Sequence, residues 1–104
     1  MLMFKKGVNV YGLQPEMLMA LDLVEPLFEA HDRDCIVTST RKDKHSAHSH
    51  HYKGLAVDLR SRHLMLSERE EILVGISNEL GDKYQVMLET NPDHFHIEYD
   101  PLGS

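Results

Sequence analysis

The segment Asp93-His94-Phe95-His96-Ile97-Glu98-Tyr99 alternates strictly between polar and apolar residues, the period of a strand with one buried and one open face. Phe95, Ile97 and Tyr99 form the apolar side. His94, His96 and Glu98 form the polar side, with successive side chains roughly 6.5 to 7 Å apart. Two imidazoles and a carboxylate in one file can line a metal cleft, or they can face water on an outer sheet surface.

A second stretch, Ser49-His50-His51-Tyr52-Lys53-Gly54-Leu55-Ala56-Val57-Asp58, concentrates metal-ligand chemistry beside small residues. From Leu55 to Leu59 the period is again that of a strand: Leu55, Val57 and Leu59 share a core face, Ala56 and Asp58 the other. A carboxylate on an inward face needs a cation or several donors to offset its desolvation. A histidine just upstream, across Gly54, can converge on the same cation. Ala56 leaves the room. Spacing alone does not choose between His50 and His51, and a solvated loop running into a half-exposed strand is the competing reading.

Together, Ser49-x-His51-x-x-Gly54-x-Ala56-x-Asp58 and a later strand carrying His94-x-His96 resemble the signature of the zinc D-Ala-D-Ala carboxypeptidases and dipeptidases. The phage L-Ala-D-Glu endolysins are related to these enzymes, and the wider group shares a core with the hedgehog signalling domain. The resemblance covers residues 36 to 100. It implies one zinc ion per chain, held by His51, Asp58 and His96; the register set by Ser49, Gly54, Ala56 and Asp58 excludes His48 and His50. It also implies a wall substrate, a peptidoglycan stem peptide, cut at D-Ala-D-Ala, L-Ala-D-Glu or another of its links.

The resemblance extends to further roles. Arg41 stands where related enzymes carry an arginine that holds a substrate carboxylate, a task suited to the two-pronged guanidinium; Ser39-Thr40-Arg41-Lys42 departs from the family's Gly-Tyr-Arg-Ser. Two branches of the family point to different general bases. One points to His94, the first His of His-x-His, and the other to Asp93, the acidic residue three positions before the last ligand. His94 shares the strand face of His96. Asp93 sits in the preceding turn, where a carboxylate can accept a proton from water and pass it to the leaving amine. The expectation is Asp93 as base and His94 as the group that stabilises the developing oxyanion.

A set of two imidazoles and one carboxylate leaves a fourth position open, which is the catalytic pattern for zinc; structural zinc is commonly closed by cysteines, and this chain has one. The competing function is a zinc-containing binding module of the same fold that hydrolyses nothing. Such a module would have no use for the acid-base groups Asp93, His94 and Glu89. A histidine-rich nuclease would require a clustered basic surface, whereas the formal charge of this chain is -6. No nucleic acid partner is expected, and the chain reads as a monomer.

With 104 residues, 41% hydrophobic and 27% charged, the chain reads as a single globular domain spanning residues 1–104. Cys35, beside Ile36 and Val37, reads as a buried small hydrophobe rather than a nucleophile. Met1-Leu2-Met3-Phe4 is interrupted by Lys5-Lys6-Gly7, which does not fit a secretory signal, and no apolar run nears the ~20 residues of a membrane span. The expectation is a protein made in the cytoplasm without a membrane partner, reaching the wall by lysis or with a phage.

The elements follow in order. Residues 1 to 13 read as an extended arm. Pro15 opens an amphipathic helix carrying Met17, Leu21, Val24 and Phe28, with a kink or break expected at Pro26. Cys35 to Thr40 is a strand, Arg41 to His50 a polar rim loop in which His45 is exposed, and Leu55 to Leu59 a second strand. Arg60 continues that strand's site face and reads as a structural partner of a nearby carboxylate. Ser67 with Glu70 reads as a capping box opening a helix buried through Ile72, Leu73, Ile76 and Leu80 and stopped by Gly81. Tyr84 to Glu89, a turn at Thr90-Asn91-Pro92-Asp93 and His94 to Tyr99 complete a hairpin, and Pro101 to Ser104 form a loose tail. This is an α+β fold: a small antiparallel sheet with helices on one face, as the hedgehog-like zinc peptidases have.

Overall fold

The computed structural model describes residues 1–40 and 54–101. Along the chain run β1 (Leu2–Phe4), α1 (Pro15–Glu29), β2 (Cys35–Ser39), β3 (Ala56–Arg60), α2 (Leu66–Leu80), β4 (Tyr84–Glu89) and β5 (His94–Tyr99). They form an α+β fold with a five-stranded sheet in the order β1-β2-β3-β5-β4. The two alternating segments, β3 and β5, are neighbours inside the sheet and pair antiparallel over the whole length of β3, Ala56 opposite Glu98 and Arg60 opposite His94.

Alternation decides which residues meet the helices. Val57 and Leu59 of β3, Phe95 and Ile97 of β5, and Cys35 and Val37 of β2 are buried in one cluster with Met17, Ala20, Leu21, Val24 and Phe28 of α1 and Ile72, Ile76 and Leu80 of α2. Phe28 meets Phe95 edge-to-face at 6.0 Å between ring centres, a favoured arrangement of the two quadrupoles. Burial pushes the Cys35 thiol up to about 12, with the charge of Glu25 acting in the same direction. It is an inert packing group, as its neighbours suggest.

The sheet is mixed rather than wholly antiparallel. Residues 2–4, expected to be part of an arm, form β1 and pair in parallel with β2, Leu2 opposite Cys35 and Phe4 opposite Val37. A parallel pair needs a long crossover, and α1 supplies it. Three residues are too few for a period to be read, and only Leu2 among them is partly buried.

Smaller differences lie at element ends. The helix α1 runs unbroken through Pro26, which sits in its last turns, and the Pro26 carbonyl still accepts the Ala30 amide at 3.0 Å. The helix α2 begins at Leu66, before the expected capping box. Glu68, not Glu70, reaches back, its carboxylate accepting the Met65 amide at 2.8 Å. Gly81 ends α2 with a φ of 79°. The strand β3 starts one residue later than expected and runs through Arg60 with the same faces, and β2 stops at Ser39. The polar rim loop and the end of the expected tail lie outside the described residues.

Candidate active site

The sheet face opposite the helices carries the alternate residues of β3, β5 and β4, and the register lines them up in rows across the strands. Ala56, Glu98 and Gln85 form one row, Asp58, His96 and Met87 the next, and Arg60, His94 and Glu89 the third. Directly opposed side chains in such rows start from Cβ atoms about 4.5–5.5 Å apart. Groups from distant parts of the sequence are therefore in reach of one another without any loop having to place them. Ala56 is buried and adds only a methyl group to its row.

The middle row brings two of the expected ligands together: His96 Nδ1 lies 2.9 Å from Asp58 Oδ1. On the far side of the ring, His96 Nε2 donates to Glu98 Oε1 at 2.8 Å. Burial by itself would lower the pKa of this imidazole. The hydrogen bonds to Asp58 and Glu98, together with their charges, outweigh burial and push it up to about 9. At neutral pH the ring holds both protons and gives one to each carboxylate.

In the next row, His94 sets Nδ1 2.6 Å from the Pro92 carbonyl oxygen and Nε2 2.9 Å from Glu89 Oε1, with Asp58 Oδ1 at 3.7 Å. Both of its nitrogens face oxygen acceptors, so this side chain is presented as a donor. Asp93, one residue earlier, turns toward α2. Its Oδ2 accepts from Arg69 Nη1 at 3.1 Å, while Arg69 Nε donates to the Ser61 carbonyl at 3.0 Å. The Ser61 amide in turn donates to the Asp93 carbonyl at 3.2 Å. One arginine thus fastens the turn before β5 to the end of β3. Asp93 also lines, with His94, a cavity of about 80 Å³ bounded by Lys5, Thr38, Arg60, Arg62 and Pro92.

Asp58, His94 and His96 are therefore gathered on one face with Glu89 and Glu98, and Asp93 stands at the edge of that group, tied to the helix. His51 and Arg41 lie outside the described residues. Among the described residues no group of three His, Cys, Asp or Glu side chains is arranged to hold a metal ion. Once the proton between them is displaced, as metal binding requires, Asp58 and His96 would offer one oxygen and one nitrogen donor side by side, and Glu98 steadies the imidazole from its remote nitrogen, as carboxylates commonly do for metal-binding histidines. The donor set suits zinc.

Sequence reading found this face through its alternation but left Glu98 without a role; its position two residues after His96 on the same side was the available signal. Arg69 was missed, and nothing in a polar helix residue marks it as the partner of a turn aspartate. Arg60, expected to pair with a carboxylate, has none within ion-pair distance among the described residues. No family model, curated protein or solved structure matches this chain.

Proposed function

We propose that the chain is a zinc-dependent peptidase that cleaves peptidoglycan stem peptides. The observation that carries the proposal is the contact of Asp58 with His96 on the sheet face opposite the helices, with Glu98 behind the imidazole and His94 beside it. Asp58 and His96 would hold the ion, with His51, three residues before Gly54, as the third ligand. When bound, zinc activates water near neutral pH and polarises a carbonyl group. The wall substrate comes from the resemblance of the two motifs to the D-Ala-D-Ala peptidases and L-Ala-D-Glu endolysins.

The remaining roles belong to side chains at the end of the face where His94 stands. His94, whose ring nitrogens lie against the Pro92 carbonyl and Glu89, is the proposed group for the negative charge that develops on the carbonyl oxygen, and would turn an N–H from those acceptors toward it. Asp93 is the proposed proton acceptor. Its Oδ2 is held by Arg69, and it borders the same cavity as His94, so a proton taken from water there could pass to the leaving amine. Glu89 keeps the His94 ring in place from Nε2.

Digestion of purified cell walls, with sequencing of the released termini, tests the activity and identifies the bond. Protein prepared free of chelators should hold one zinc per chain by elemental analysis, and Asp58→Ala should lose most of it; full zinc in that variant would sink the ligand set. Asp93→Asn and His94→Ala should each slow hydrolysis by roughly 10² to 10⁴. If Asp93→Asn hydrolyses at the unaltered rate while His94→Ala does not, the base is His94. If the protein holds zinc, binds wall peptide and releases nothing, it is a binding module.

A further inference from the structure

The cavity beside His94 has a charge that the proposed hydrolysis leaves unexplained. Lys5, Arg60 and Arg62 contribute three cations to a space of about 80 Å³, against one carboxylate, Asp93. That carboxylate is already engaged by Arg69 at 3.1 Å. None of the three cations has a carboxylate within ion-pair distance among the described residues. Like charges brought together without a partner repel one another, and surface cations of that kind ordinarily spread apart or find an acid. Here they are concentrated in a chain whose formal net charge is -6, so the local field is opposite to that of the molecule as a whole. A small concave site of one sign focuses the field and draws a counter-ion into it.

We infer that this cavity is a subsite for a carboxylate carried by the substrate, on a residue next to the bond that is cut. The inference rests on the proposed peptidase reading for the neighbouring chemistry. Arg60 stands in the row of His94 and follows Asp58 by two positions on the same face of β3, a separation of roughly 6.5 to 7 Å along the strand. A group bound at Arg60 therefore lies about two residues' length along an extended chain from a carbonyl held over Asp58 and His96, within reach of a side-chain carboxylate on the neighbouring residue. The guanidinium of Arg60 offers a planar fork that matches a carboxylate's two oxygens; Arg62 and Lys5, both exposed, add charge without that geometry. The volume accommodates a carboxylate group rather than a whole side chain. Asp93 on the wall disfavours a more highly charged anion such as a phosphate dianion. The resemblance to the peptidase family places a carboxylate-binding arginine at Arg41. The cavity at Arg60 is a separate place, built from residues on β3 and the segments that flank it.

The test is binding read without turnover. The metal-free, full-length protein is titrated with N-acetylglutamate, with its diamide, and with inorganic phosphate at matched ionic strength, while the side-chain Nε–H signals of Arg60 and Arg62 are followed by NMR. N-acetylglutamate should move both signals saturably, with an affinity on the order of millimolar, and the diamide should not. Arg60→Gln should weaken the binding roughly tenfold, as expected for loss of one charged hydrogen-bonding partner. Arg62→Gln and Lys5→Gln, at exposed positions, provide the same comparison should the first variant not fold. Absence of a saturable shift, equal shifts from phosphate, or unchanged affinity in all three variants would overturn the subsite. Saturable binding in a protein that cleaves no wall peptide would overturn the peptidase reading alone. Cleavage that is indifferent both to amidation of the neighbouring carboxylate and to Arg60→Gln would overturn the subsite alone.

Discussion

His96 is bonded at both ring nitrogens, to Asp58 on one side and to Glu98 on the other, and the two contacts do different work. The first places a donor atom beside a second donor. The second sets the ring's orientation and determines which nitrogen is turned toward Asp58. Removing the charge of Glu98 while keeping its shape should therefore weaken metal binding without abolishing it. Glu98→Gln is expected to lower zinc affinity by roughly 10- to 100-fold, measured by competition with a chelator of known affinity. Unchanged affinity would leave Glu98 as a sheet-surface residue. The shared face of Asp58 and His96 was legible in the sequence because alternation assigns a side chain to a face before any contact is known. The direction of Asp93 was not, since it precedes the first residue of β5 and its partner Arg69 sits on α2, 24 residues away.

Elements here are set as much by their ends as by their stripes. Gly54 leads into β3 with a φ of +75°, its carbonyl accepts the Gln14 amide at 3.0 Å, and a Cβ built there would lie 1.9 Å from the Gly12 carbonyl oxygen. Gly54→Ala should destabilise the fold by at least about 2 kcal/mol, from the left-handed backbone and the close approach together, read as a fall in the urea midpoint. At the start of α2, the Met65 amide holds the Glu68 carboxyl below its ordinary value of 4.5; burial opposes this, and Arg33 acts with the amide through both a hydrogen bond and its charge. A carboxyl whose pKa is lowered on folding contributes stability above its unfolded value and loses it as pH falls through the folded one. Glu68→Gln should therefore flatten the acid side of a plot of urea midpoint against pH below 4.5; an unchanged slope would mean that the cap has no energetic weight. Helices and strands with several buried positions were readable from period alone. The capping residue was not, because Ser67-x-x-Glu70 and Met65-x-x-Glu68 compete within one turn, and a methionine gives no sign of starting a helix.

At the level of the molecule, the sheet order puts β3 and β5 inside, with β1 and β2 on one side and β4 on the other. Zinc held by Asp58 and His96, as proposed, would tie two strands across the sheet. At free zinc about 100-fold above its dissociation constant the tie is worth about 2.7 kcal/mol, so chelation should lower the thermal midpoint by roughly 10 to 20 °C, seen by calorimetry with and without metal; an unmoved midpoint would argue against ligands on both strands. That tie also has a place in time. The hairpin of β4 and β5 is local, but Asp58 and His96 are 38 positions apart in sequence, and the loop between them must close before the pair exists. A folding barrier crossed before β3 docks on β5 comes too early for the ion to help. Zinc is then expected to leave the folding rate unchanged and to slow unfolding, visible as a shift of only the unfolding limb in stopped-flow measurements, whereas faster folding with zinc would place the docking of β3 before the barrier. If the protein acts at the cell wall with zinc bound, as proposed, what the pairing of β3 with β5 would confer is lifetime: each molecule, once loaded, would stay folded for longer.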